Sequence, residues 1–133
     1  TVPVVGGDGW DSPKLVEIGS AAALNNTYFT NHYSVEDNSP ASKAFVEAYK
    51  KEYGQVPDAL AVLGYDAANL LIDAIKRANS LDKAKIQAAL ASTKAFSAIT
   101  GSTTLNATHD AVKSAVIIEM KEGKQVFKAT VKP

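Results

Sequence analysis

The chain contains no cysteine, which excludes disulfides, thiolate metal sites and a cysteine nucleophile within it. That absence leaves the compartment open, because a cysteine-free chain is acceptable in either redox environment. No apolar run approaches the ~20 residues that a membrane-spanning helix needs. The opening TVPVVGGDGW lacks a basic stretch followed by an apolar one, so if the parent protein is exported its signal is expected to lie outside the chain. An excess of one charge is also missing. Fourteen Lys and Arg balance 14 Asp and Glu, no segment resembles a phosphate-neutralising face, and nucleic acid is not an expected partner. Signals for catalysis are absent too: His32 and His109 are far apart, there is no H-x-x-x-H or G-x-S-x-G pattern, and no acidic set has metal-ligand spacing.

What is present is a strand and helix alternation over 133 residues, 46% of them hydrophobic, enough to bury the core of an ordinary domain. Val2 to Val5 reads as a short strand stopped by Gly6-Gly7. Ser12-Pro13 is a helix start, with a cap and then proline at the first position, and predicts a helix from Pro13 to Leu24. Thr27 to Tyr33 follows an Asn-Asn turn and reads as the next strand. Ser39-Pro40 repeats the start signal, and Phe45, Tyr49 and Tyr53 form a stripe that Gly54 ends. Asp58 caps a longer helix running to Ala78, and a third helix is expected from about Asp82 to Ser92. Ser114 to Met120 and Gln125 to Val131 flank Lys121 to Lys124 as a β-hairpin. The fold class is therefore α/β, with a βαβ start, central helices and a C-terminal hairpin, and strand content clusters at the two ends.

The most informative chemistry lies in Gly6-Gly7-Asp8-Gly9-Trp10-Asp11-Ser12, past the carboxyl end of a strand and before a helix, where open α/β sheets bind ligands. The spacing is not that of a dinucleotide or Walker loop, and Asp8 and Asp11 would repel a phosphate. A carboxylate between glycines suits an ammonium group, with Trp10 as an apolar wall or a cation-attracting face. Against this stands a plainer reading in which Asp8 stabilises the loop and Trp10 is core. His32, alone at a strand end, reads as an ordinary hydrogen-bonded or exposed residue. Tyr65 and Asp66 sit in an apolar helix, where buried polar groups need partners. Their spacing fits the rim of a polar face continued by Asn69 and Asp73, and Tyr65 is kept as a candidate ligand contact beside Gly7, Asp8 and Trp10.

The runs VPVVGGDGWDSPKLVEIG, YFTNHYS, FVEAYKKEYGQVPDALAVLGYDAANLLIDAIKRA, TGSTTLN and KSAVIIEMKEGKQVF, in this order, resemble the amino-acid-binding branch of type I periplasmic binding proteins. This is the Leu/Ile/Val family, and the resemblance extends over essentially the whole chain and corresponds to that family's C-terminal part.

The resemblance implies part of a two-lobed receptor whose chain crosses between lobes three times and whose ligand is gripped in the cleft. Asp8 matches the position that holds the ligand's α-ammonium group, while the carboxylate-binding groups belong to the other lobe, in sequence not contained here. By the same resemblance, residues 1–33 belong to the C-terminal lobe, 34–39 cross a hinge, and 40–113 belong mainly as helices to the N-terminal lobe. Residues 114–133 form a hinge-crossing strand and a strand returning to the C-terminal lobe. The implied function is solute capture outside the cytoplasm for an ABC importer, without catalysis, cofactor or metal. The implied partners are an amino acid, a membrane permease, and either the missing N-terminal portion or a second copy by domain swapping. A sensing domain of a receptor with the same fold is the alternative. Relatives of this family often place glycine near His109, so positive φ is an expectation there, one that histidine tolerates better than most residues.

Overall fold

The computed structural model describes residues 2–133. β1 (Val4–Gly6) leads through a 3-10 turn at Asp8–Trp10 into α1 (Pro13–Gly19), and β2 (Thr27–Asn31) follows. Then come α2 (Pro40–Tyr53), α3 (Ala59–Ala78) and α4 (Lys83–Ala91). Three short strands, β3 (Phe96–Ala98), β4 (Gly101–Leu105) and β5 (Ala111–Val112), precede the hairpin of β6 (Ala115–Lys121) and β7 (Lys124–Val131).

Local chemistry explains the helix starts. The side chains of Ser12, Ser39, Asp58 and Asp82 each accept a hydrogen bond from a backbone N–H two or three residues on, satisfying a donor that the first turn leaves free. Gly54 ends α2 at φ 71° and Asn79 ends α3 at φ 45°, the left-handed exit that glycine and asparagine adopt most readily. α1 is shorter than expected. Ser20 turns to φ 63°, and the chain folds back so that the Leu24 N–H donates to the Ser20 carbonyl at 3.3 Å. Residues 20–26 are therefore turns, and Leu24 reaches the core from a bend instead of from a helix.

One sheet has the order β1-β2-β6-β7, with β1 parallel to β2 and the remaining pairs antiparallel. Pairing Phe29 with Ile118 and Thr27 with Met120 sends these four side chains to one face. There Phe29, Ile118, Met120 and Leu24 form a core joined by Trp10, Leu15, Val16 and Val116. β6 lies along β2 over its length, and Glu122 (φ 52°) and Gly123 (φ 74°) turn the chain into β7. Two successive positive φ values are what a two-residue hairpin loop requires. The opposite face carries Tyr28, Thr30, Ile117, Glu119 and Val126, none of them buried.

A second, separate core of Tyr33, Ala59 and Val62, flanked by Phe45, Val46 and Ile99, lies under α2 and α3. Beside it stands a sheet that the sequence reading missed, with order β3-β4-β5. Strand content is thus not confined to the ends of the chain. These strands are short and rich in Ser, Thr, Ala and Gly, so no alternation of large apolar residues announces them. His109 sits at φ 69°, in a turn organised by Asn106 Oδ1, which accepts from the backbone N–H groups of Thr108 at 3.0 Å and Asp110 at 2.8 Å. No helix among the described residues is long and apolar enough to cross a membrane.

Candidate functional site

The loop after β1 is built around Trp10. Its ring lies against Gly6 so closely that a Cβ added there would stand 2.4 Å from it, and its centroid is 6.4 Å from that of Phe29. Trp10 thus anchors the loop on the sheet's core, and Gly6 makes the approach sterically possible. The 3-10 turn closes with Trp10 N–H donating to the Gly7 carbonyl at 3.1 Å and Asp11 N–H to the Asp8 carbonyl at 3.0 Å. With the tryptophan turned inward, Asp8 is left on the outside, its side chain 60% exposed. A Cβ added at Gly7 or Gly9 would meet no atom within 4 Å, so the space beside Asp8 is open.

The two acids of the loop have different surroundings. Asp11 is fully engaged: Oδ2 accepts from the Ala59 N–H at 2.9 Å and Oδ1 from Gln125 Nε2 at 2.9 Å. One carboxylate thereby ties the loop to the first residue of α3 and to the start of β7. Asp8 has one side-chain contact among the described residues, to His32 Nε2 at 3.2 Å. Neither this contact nor the role of Asp11 was legible in the sequence, where His32 lies 24 positions away. The parallel β1-β2 pairing brings the two strand ends together, but their order of pairing is not written in either strand.

Tyr65 lies elsewhere. It is 48% exposed on α3, its ring 4.8 Å from Phe45, and it lines a groove between α2 and α3 with Tyr49 and Tyr53. No contact joins it to Gly7, Asp8 or Trp10. Its neighbour Asp66 is buried and accepts from the backbone N–H groups of Ile99 at 2.8 Å and Thr100 at 2.9 Å. The expectation that Asp66 belongs to the rim of a polar face therefore yields to a structural role, holding the β3-β4 turn against α3. Lys113 bonds Thr100 Oγ1 nearby. Burial pushes its pKa down, and the Asp66 charge acts in the opposite sense.

A second cavity of about 640 Å³ opens between the 34–39 segment, the β3-β4 turn and the ends of β6 and β7. His32 lines it, together with Glu36, Asp37, Ser97, Thr100 and Thr130. No group of three or more metal-ligating side chains occurs among the described residues.

Comparison with known proteins gives one consistent picture. A family model described as periplasmic binding protein matches residues 1–125. A search of curated proteins returns no match. Among solved structures, the leucine-binding protein LivK of Thermotoga maritima is 42% identical with a TM-score of 0.89, and the match covers 100% of this chain and 38% of that one. The branched-chain amino acid substrate-binding protein LivJ of Streptococcus pneumoniae, solved in complex with isoleucine, is 35% identical with a TM-score of 0.84 and the same coverage. A solute-binding protein of an ABC transporter from R. palustris, in complex with benzoate, is 29% identical with a TM-score of 0.75, over 99% of this chain and 36% of that one. The chain thus spans less than two fifths of the length of each.

Proposed function

Since this chain belongs to the periplasmic binding protein family, we propose that it is the C-terminal part of an extracytoplasmic solute-binding component of an ABC importer, taking branched-chain or related amino acids. The observation that carries the ligand class is Asp8, an exposed carboxylate beside open glycine backbone at the carboxyl end of a strand. Such a group attracts an ammonium and repels a carboxylate, which favours a zwitterion with its ammonium end here over an aromatic acid such as benzoate. Gly7 gives the ligand access to the backbone and Trp10 holds the loop in shape. Tyr65 lines the separate α2-α3 groove, so it would reach the ligand only if lobe closure brought that groove to the Asp8 loop.

In this reading residues 1–33 belong to one lobe and 40–113 mainly to the other, with crossings at 34–39 and along the strand of 114–120, after which the last strand returns to the first lobe. The separate cores support it, with Tyr33, at the junction, the one residue of 1–33 that belongs to the second. Capture is hinge closure without catalysis, and delivery is to a membrane permease. Exposed Val4 and Val5 on the β1 edge are covered by the remainder of the longer chain, or by a second copy when this segment is alone. Sedimentation of the isolated segment as a compact, cooperatively melting monomer would sink that last point.

Calorimetry on the full-length protein with leucine, isoleucine and benzoate tests the ligand class. Asp8→Asn weakens leucine binding at least tenfold, as expected for a charge-assisted bond worth ~1.5–3 kcal/mol. Unchanged affinity removes Asp8 from the site.

A further inference from the structure

His32 stands one residue past the end of β2, where the chain leaves the sheet for the 34–39 segment. Its ring is turned back to the 3-10 turn, with Nε2 3.2 Å from Asp8 Oδ2 and its side chain 38% exposed. An ionised carboxylate can only accept, so this nitrogen carries a hydrogen. The ring is therefore either neutral with its N–H on Nε2 or an imidazolium, and both states satisfy the same contact.

The cavity that His32 lines is bordered by the carboxylates of Glu36 and Asp37, with the Lys113 ammonium bonded to Thr100 Oγ1 at its wall. Asp11, on the Asp8 loop, already has both oxygens engaged. Tyr33 is bonded to Ser42. The strands flanking β2 contribute no titratable group beside its end: β1 presents Gly6 opposite Phe29, and β6 presents Val116 opposite Asn31. His32 is thus the one cationisable side chain in contact with Asp8 among the described residues.

We propose that His32 is a positioning residue of the amino-acid site, one that sets Asp8 for the ligand's ammonium and makes its capture depend on pH. The proposal rests on the reading of Asp8 as the ammonium partner. A neutral His32 donates to Oδ2, fixes the carboxylate and leaves Oδ1 for the ligand. A protonated His32 occupies the same carboxylate as a rival cation. The sign follows from linkage: the free protein binds a proton that the ligand's ammonium disfavours, so affinity falls as pH falls through the imidazole range. A free amino acid stays zwitterionic throughout that range and adds no pH dependence of its own.

The test is calorimetry of the full-length protein with leucine at pH 7.5 and 5.5, paired with NMR titration of the His32 ring in the unliganded protein. Wild type binds about three- to tenfold more weakly at pH 5.5. His32→Ala lowers affinity at pH 7.5, and His32→Gln, which keeps an N–H donor but cannot ionise, restores part of it and brings the ratio between the two pH values to about one. Asp8→Asn weakens binding at both pH values and moves the His32 titration midpoint down. A His32→Gln variant that keeps the wild-type ratio overturns the proposal and leaves the Asp8 reading standing. Asp8→Asn with wild-type affinity defeats the Asp8 reading instead. A His32 midpoint unmoved by Asp8→Asn removes the coupling itself, whichever ligand the protein takes.

Discussion

In the four-stranded sheet the buried cluster is large and apolar, Phe29, Ile118, Met120 and Leu24, with Thr27 and Asn31 as its buried polar residues, whereas under α2 and α3 the buried cluster is the smaller set Tyr33, Ala59 and Val62, and polar side chains fasten the elements around it. Asp66 holds the β3-β4 turn. Arg77, braced within α3 by Nε donating to Asp73 Oδ2 at 2.7 Å, fastens α4 to α3: one terminal nitrogen donates to the Ala89 carbonyl at 2.6 Å and the other to Thr93 Oγ1, just past α4, at 2.9 Å. An apolar core is non-directional, and losing part of it costs energy in proportion to area and cavity. A polar tie is directional, and losing one partner leaves the other buried without a bond. The two regions should therefore fail in different ways and separately.

Phe29→Ala is the sharpest attack on that separation. Phe29 is fully buried between Trp10 and the β6 residues, and truncating such a ring costs about 3–5 kcal/mol. Hydrogen exchange in the full-length protein should show amides of β2 and β6 losing protection while those in the middle of α3 keep theirs. Equal loss in α3 would show that the two regions open as one cooperative unit.

The same contrast decides what was legible in the sequence. Caps at Ser39, Asp58 and Asp82, the Gly54 exit and the apolar periodicity place α2, α3 and α4 to within a residue or so, because each signal is local. The hairpin is equally clear, since Glu122-Gly123 fits its turn and flanking β-branched residues mark its strands. The end of α1 is not: nothing at Ser20 announces a left-handed residue, and the turn is set by the docking of Leu24 on Phe29 and Ile118. The ties made by Asp11 and Asp66 and the Asp8–His32 contact span from 24 to 114 positions, and no local pattern encodes such partners. At the candidate site, Asp8 stands out as an acid among glycines. That its neighbour Trp10 is turned toward the core, and Tyr65 to another groove, emerges only from packing.

Asp66→Ala attacks the polar region, with a smaller effect of about 2–3 kcal/mol, because it orphans the Ile99 and Thr100 N–H groups together. Exchange at these two amides should rise by the corresponding factor while Phe29 and its neighbours are undisturbed. The lysine nearby gives an independent readout. The Asp66 charge opposes the downward push of burial on Lys113, so its removal lowers the Lys113 pKa further, measurable by NMR of the side-chain carbon shifts. A Lys113 titration identical to wild type would place Asp66 outside its field.

The smallest effect is expected at Tyr33, where the regions meet: the residue follows β2 closely in sequence yet belongs to the core under α2 and α3. Its ring is 4% exposed, and its hydroxyl accepts a long hydrogen bond of 3.3 Å from Ser42 Oγ. Tyr33→Phe keeps the ring and costs about 0.5–1 kcal/mol at neutral pH. The alkaline side is more telling. Burial, with a contribution from the Asp37 charge, raises the phenol's pKa above its ordinary 10.0, although the Ser42 bond pulls it down. A raised folded-state pKa means that the neutral phenol's contribution is fully present below about pH 10 and is lost as pH climbs toward the folded value. Lys113 works the other way. Its folded pKa lies below the ordinary 10.5, so the cost of burying its charge is relieved as pH rises through that window. Wild type shows the difference of the two, and Tyr33→Phe leaves the lysine alone. Between pH 9 and 11 the variant should therefore lose less stability than wild type in the helical region, read as exchange-detected opening of α3 corrected for the intrinsic rate. Parallel pH profiles for the two proteins would mean that Tyr33 ionises as freely in the folded protein as in the unfolded one, and that the junction between the regions is wetter than its burial indicates.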